Sequence, residues 1–223
     1  MKNDKKKNSP LPSETHFPSP VSKVKKALSD EEKIDIITSR FKDILEVLGL
    51  DLNDESIGRT PYRIAKMYVK EVFSGLDPAN FPEIRFFKEE FHHEHQANMV
   101  FVRVGFTSFC EHHFVPMTGV AYVAYLPDKQ IIGLSKIPRI VRYFAQRPQV
   151  QERLTAQIAD SIAILLDSEN VAVSLTAAHH CVIARGIEDE HSYTITNVLR
   201  GRFNTDAGVR GEFFEAINRV PRS

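Results

Sequence analysis

No apolar run in the chain approaches the roughly 20 residues that a helix needs to cross a bilayer, so the sequence predicts no membrane span. The lysine-rich start, Met1 to Asn8, is not followed by an apolar segment, which argues against a secretory leader. Only 2 of the 223 residues are cysteine, too few for a disulfide framework. The expected setting is therefore the reducing cytoplasm, with both thiols free for metal binding or catalysis. Charge of one sign is lacking too: Lys and Arg number 29, Asp and Glu 29, and the formal net charge is zero. That balance gives no global attraction to nucleic acid or to an anionic membrane, and neither is expected as a partner. A polyanionic substrate would need a local basic patch.

Hydrophobic residues make up 42% and charged residues 26%, the balance of an ordinary globular protein with one sizeable core. Residues 1–28 are rich in Lys, Pro and Ser and are expected to form a disordered tail. A helical region is expected over 29–98. Ser29 and Glu32 form a capping-box pattern, and Ile34, Ile37, Phe41, Ile44, Leu45 and Leu48 recur at helical spacing before Gly49. A second helix opens at Thr60-Pro61, carries Ile64, Tyr68 and Val72, and ends near Ser74-Gly75.

From residue 99 to 223 the period changes. Val100, Val102, Val104 and Phe106 alternate, and Gly119 to Leu126 reads as a second strand. Two helices follow, from about Lys136 to Gln146 and from about Gln149 to Leu166. Alternation returns at Val171, Val173 and Leu175 and again from Tyr193 to Phe203, and a last short helix covers Val209 to Ile217. Hairpins flanking a helical pair predict an α+β fold, an antiparallel four-stranded sheet with helices on one face. The two open edges of such a sheet hint at pairing between subunits.

Both cysteines sit beside histidines, in Cys110-Glu111-His112-His113 and in His179-His180-Cys181. Zinc takes Cys and His readily, and a catalytic site uses three protein ligands with one position left open. Cys110, Cys181 and either His112 or His113 would supply those three; spacing does not separate the two histidines. Buried apolar cysteines beside surface histidines are the plainer explanation. Yet in a chain with 9 histidines, both cysteines seldom each neighbour two of them by chance. In an extended chain His179 and Cys181 would share a face and His180 would point away, placing His179 where a proton donor or acceptor belongs. His92, His93 and His95 lie in a charged stretch and read as a solvated loop; His16 is in the tail, and His191 follows an acidic loop. Lys136, Arg139, Arg142 and Arg185, with Arg63 and Lys66 on the second helix, suit phosphate oxygens if folding or assembly gathers them. Glu152, in the first turn of a helix, is explained by the helix dipole alone.

Longer motifs then appear in order. Thr60-Pro61-Tyr62-Arg63-Ile64-Ala65-Lys66-Met67 precedes Cys110-Glu111-His112-His113-Phe114, Ile132-Gly133-Leu134-Ser135-Lys136 and Arg147-Pro148-Gln149-Val150-Gln151-Glu152-Arg153-Leu154-Thr155. His179-His180-Cys181, Arg185-Gly186 and Gly201-Arg202-Phe203 follow. Together they resemble the zinc-dependent GTP cyclohydrolase I family from about residue 30 to the C-terminus. The resemblance implies a tunnelling fold (T-fold) assembled as a homodecamer of two pentamers, with sites at subunit junctions. It implies Cys110, His113 and Cys181 as zinc ligands, and zinc-activated water opening the guanine ring of GTP at C8. His112 and His179 would be the acid–base pair, formate would leave, and 7,8-dihydroneopterin triphosphate would form. Ser135 would handle the ribose, and Glu152, with Gln151 beside it, would anchor guanine. Lys136, Arg139, Arg185, Arg63 and Lys66 would bind the triphosphate. Tyr62 stands where many relatives carry histidine or lysine, and the resemblance does not extend to the tail before Ser29. A nitrile-reducing or aldehyde-processing relative of the same fold would lack the Cys-Glu-His-His and His-x-Cys pair, whereas a non-catalytic zinc-stabilised binding protein would close its site with four ligands. Whether the product feeds folate or tetrahydrobiopterin is open.

Overall fold

The structure, a computed structural model, describes residues 15, 18–22, 28–87, 99–128 and 130–219. Most of the expected tail, and His16, His92, His93 and His95, lie outside the described residues. Helix α1 (Asp30–Val47) starts at the capping box: the Ser29 hydroxyl accepts from the Glu32 N–H at 3.2 Å, and the Glu32 carboxylate accepts from the Ser29 N–H at 2.7 Å. Gly49, with φ of 81°, turns the chain out of it. Helix α2 (Thr60–Met67) carries Pro61 in its first turn and runs into one π-helical turn, Tyr68–Val72. Two short 3₁₀ turns, Ser74–Leu76 and Pro78–Asn80, then lead to β1 (Phe86–Phe87).

The long strands β2 (Val100–Cys110) and β3 (Pro116–Tyr125) form an antiparallel hairpin. Strand β4 (Ile131–Ile132) pairs with β1 in a separate ribbon. Helix α3 (Lys136–Ala145), the short β5 (Pro148–Gln149) and helix α4 (Gln151–Leu166) come next. Strand β6 (Val171–His179), the helical turn α5 (His180–Ile183) and strand β7 (Thr194–Leu199) complete the sheet, and α6 (Arg202–Thr205) and α7 (Ala207–Arg219) close the described chain.

The sheet has five strands in the order β5-β2-β3-β6-β7. The four long ones are antiparallel, as alternation predicts. The fifth, β5, runs parallel to β2 through Phe109–Pro148 and Cys110–Gln149, so the expected purely antiparallel four-stranded sheet is corrected to a mixed one. A strand of two residues has no alternation to read, and its pairing follows only from how the α3–α4 connection folds back on the end of β2. Strand β7 stops at Leu199, short of the expected Phe203. Gly201 turns there with φ of 51°, and a Cβ on it would stand 2.4 Å from Asn170 Oδ1.

Alternation divides the residues between two faces. Val104, Phe106, Ala121, Val123, Tyr125, Val173 and Leu175 bury against Ile137, Ile140, Phe144, Leu154, Ile158 and Ile162 of α3 and α4. Ala124, Leu126 and Ala172 meet Phe203 and Phe213 on the other side. Helices therefore cover both faces, a correction to the single covered face expected. Phe203 reads from the sequence as the end of a strand and Phe213 as part of a short helix, and neither pattern tells that the two pack together on the far side of the sheet.

Gly75 fastens the N-terminal helices to this core. Its N–H donates to Gln146 O at 2.9 Å, and its carbonyl accepts from Arg147 Nε at 2.7 Å. The buried Arg147 guanidinium stacks over Tyr143 and Phe144 at 4.5 and 4.8 Å and reaches the Ser19 hydroxyl at 3.3 Å. A Cβ at Gly75 would stand 2.0 Å from the Tyr143 carbonyl oxygen and 2.8 Å from that of Gln146, and both are backbone that cannot step aside. Gly75→Ala is expected to cost about 1–3 kcal/mol, read as a lowered midpoint in urea; an unchanged midpoint would show that this joint is loose.

Candidate metal centre

The site grows from the end of β2. Cys110 ends the strand on its core-facing side, and the turn 111–113 leads into β3. Two backbone bonds shape the turn, Cys110 N–H to Val115 O at 2.9 Å and Phe114 N–H to Cys110 O at 2.8 Å. Phe114 has φ of 53°, an uncommon conformation for a side-chain-bearing residue. Its ring is held from outside, packed on Tyr68 and Phe73 with centroids 6.1 and 5.0 Å away. The Glu111 carboxylate receives both terminal nitrogens of Arg153, which ties the turn to α4.

Cys181 arrives from the opposite hairpin. Strand β6 ends at His179 and the chain coils into α5, so the expected alternation of His179 and Cys181 on one strand face is corrected. Cys181 reaches the end of β2 by a helical turn instead. The donor atoms of Cys110, His113 and Cys181 all lie within 4.8 Å of one another, close enough for one ion to reach all three. His112 lies outside that group, with Nδ1 3.6 Å from Cys110 Sγ. Arg185 donates to His113 Nε2 at 3.1 Å; a guanidinium cannot accept, so this nitrogen carries no proton. Burial pushes the Cys181 thiol up, and the neighbouring Cys110 adds to the effect. Without a cation Cys181 therefore favours the thiol, and a metal that binds it there releases a proton. Two sulfurs and an imidazole fit a borderline-soft divalent ion.

His179 stands beside this group at the end of β6. Its Nε2 lies 2.8 Å from Gln151 Oε1, and burial holds its pKa below the ordinary histidine value, with Glu152 opposing. The ring is consequently neutral near pH 7. Gln151, expected beside a guanine anchor, is only 1% exposed, and its amide faces β6, β7 and His179. The next residue, Glu152, is exposed in the first turn of α4.

The basic residues are placed around the molecule. Ser135 is the exposed N-cap of α3 and makes no side-chain cap bond, and Lys136 follows it. Arg139 lines a groove of about 200 Å³ with Asn80, Pro82, Arg142, Tyr143 and Gln146, none of which is a donor residue. Arg63 and Lys66 are exposed on α2. Among the described residues, no hydrogen bond or ion pair joins Arg63, Lys66, Lys136 or Arg139 to the donor group; Arg185 alone of the expected cations touches it. His180 is half-buried and His191 exposed.

Sequence reasoning missed the Glu111–Arg153 pair. A Glu and an Arg so far apart in the chain leave no local signal. Glu111→Ala frees the turn that carries Cys110 and His113, and metal affinity is expected to fall about 10–100-fold, as for other supporting shells. Competition with a chromogenic chelator measures this; unchanged affinity would remove Glu111 from that role.

Among the described residues, no helix is long and apolar enough to cross a membrane. The family model described as GTP cyclohydrolase I matches residues 37–218. A protein named GTP cyclohydrolase 1 from Aeromonas hydrophila subsp. hydrophila is 49% identical over 197 residues, covering 88% of this chain and 89% of that one. Proteins of the same name from Salmonella arizonae and Salmonella paratyphi B are each 50% identical over 195 residues, covering 87% of this chain and 86% of theirs.

Proposed function

The chain belongs to the GTP cyclohydrolase I family, and from that membership and its site we propose that it is a hydrolase that opens the guanine imidazole ring of GTP at C8. Formate leaves, and the remainder closes to 7,8-dihydroneopterin triphosphate, a pterin of the kind folate biosynthesis consumes. The observation that carries this reading is the gathering of Cys110, His113 and Cys181, with the half-buried His179 at the end of β6 two residues before Cys181.

Cys110, His113 and Cys181 would hold zinc, which when bound supplies Lewis acidity and lowers the pKa of water to about 7. The chain's own residues supply the rest. His179 and His112 exchange protons with the imidazole nitrogens of guanine as the ring opens. The exposed Glu152 carboxylate accepts from the N1 and N2 hydrogens of guanine. Ser135 meets the ribose, and Lys136, Arg139 and Arg185 face the triphosphate. Arg63 and Lys66 belong to the helical region 29–98, while the donor group belongs to 99–223. In a homodecamer of two pentamers a neighbouring subunit would bring those two cations to the site. Charges gathered that way would supply the basic patch that a neutral chain needs for a polyanion. The setting is cytoplasmic, and neither nucleic acid nor membrane takes part.

Incubation of the purified, zinc-loaded protein with GTP tests this directly. Formate and, after oxidation, a fluorescent pterin are the expected products. Neither product from folded, metal-bound protein would leave a non-catalytic zinc-stabilised binding protein as the better reading. Glu152→Ala is expected to raise KM for GTP about 10–100-fold, the value of hydrogen bonds to a charged group. It should also erase the preference for GTP over inosine triphosphate, which lacks the 2-amino group. Unchanged kinetics would take Glu152 out of the site.

A further inference from the structure

Resting on the reading of His179 as a proton carrier, we infer that Gln151 is a positioning residue. It holds the His179 ring with its proton on Nε2 and makes Nδ1 the nitrogen that exchanges protons with substrate.

The orientation of the Gln151 amide is fixed by its surroundings. Its nitrogen lies 3.1 Å from Leu175 O and 3.0 Å from Thr194 O, and both of these are carbonyls that can only accept. A flipped amide would set an oxygen against two oxygens, so the NH2 end must point there. A third neighbour, Thr196 Oγ1 at 3.1 Å, agrees once the hydroxyl protons are followed. Thr155 Oγ1 donates its single proton to the main-chain carbonyl of Gln151 at 2.7 Å. In the 2.6 Å contact between Thr155 and Thr196, Thr196 must then be the donor. That leaves a lone pair on Thr196 Oγ1 free to accept from Gln151. The two amide hydrogens are shared among these three acceptors, and the whole network sits on α4, β6 and β7.

With its nitrogen committed, Gln151 offers Oε1 to His179 Nε2 at 2.8 Å. An amide oxygen only accepts, so Nε2 must carry hydrogen. A neutral His179 then has its lone pair on Nδ1, and a charged one has its removable proton there, because Nε2–H stays bonded in both states. Such an orienting partner is what a general acid–base histidine requires. The next residue extends the arrangement. Gln151 points into the protein and Glu152 outward, so one turn of α4 sets both the proton carrier and the proposed guanine anchor.

Neutron diffraction from crystals of the full-length zinc-loaded protein, exchanged into D2O at alkaline pD, reads the proton directly. Deuterium on His179 Nε2 is expected; a bare Nε2 overturns the proposal. This result does not depend on turnover, so failure to convert GTP would count against the proposed function and leave the proton placement to stand or fall by itself. Kinetics supply the second test. Gln151→Met removes the acceptor at similar volume, and kcat is expected to fall about 10–100-fold with KM changed less than about threefold. In a His179→Ala background the same substitution should cost nothing further. An equal loss in both backgrounds would show that Gln151 acts only on the fold and would overturn the positioning role.

Discussion

Cys110→Ser and Cys181→Ser are each expected to lose bound metal and GTP ring opening together. A serine hydroxyl is similar in size, and Cys110 lies in a strand that already accommodates Ser108 on the same face, so the fold should persist. The chemistry does not. A hydroxyl stays protonated where a thiol gives up its proton to the ion, and a zinc ligand must be deprotonated. A four-ligand zinc site is worth about 10–16 kcal/mol, or roughly 3 kcal/mol per ligand, so one lost thiolate lowers affinity by about two powers of ten. The two variants should behave alike, because their sulfurs belong to one group with His113. Metal content per chain after dialysis, together with formate release, measures both effects. A Cys110→Ser protein with full metal and full rate would overturn the ligand assignment.

His179→Ala is expected to separate the two properties. Metal stays, because the three donor atoms are untouched. Formate release falls about 10²–10⁴-fold, the usual worth of a positioned proton carrier. Binding of GTP should change little, since Glu152 and the basic residues remain. Loss of metal in this variant would make His179 a ligand and close the site with four. An unchanged rate would leave His112 as the sole candidate for the proton steps.

How much of this is legible in the sequence follows from the range of each signal. The capping box at Ser29 and the strand signals of β2, β3 and β6 are local; the structure shows the cap as read and a strand at each signal, with β3 starting at Pro116 rather than Gly119 and β2 running on to Cys110. The histidines flanking both cysteines are local as well, and they mark the two chain segments that meet. Which of His112 and His113 joins the group is decided by a turn with an unusual backbone at Phe114, held by aromatic rings of the N-terminal helices, and spacing carries none of that. The alternation argument for His179 and Cys181 fails because the strand ends between them. β5 and the second helical layer depend on tertiary return of the chain, so no periodicity announces them. Gln151 illustrates the same limit. Beside Glu152 it reads as part of a substrate contact, and only the approach of Leu175, Thr194 and Thr196 shows that its amide is already engaged.

The most direct measurement uses GTP labelled with carbon-13 at C8 and follows the label by NMR, with the protein as purified, after dialysis against a chelator, and after zinc is restored. The expected result is labelled formate in the first and third samples and intact labelled GTP in the second. Labelled formate at an undiminished rate from metal-free protein, or none from the folded, zinc-restored protein, would contradict the assignment of Cys110, His113 and Cys181 as the metal centre of a ring-opening hydrolase.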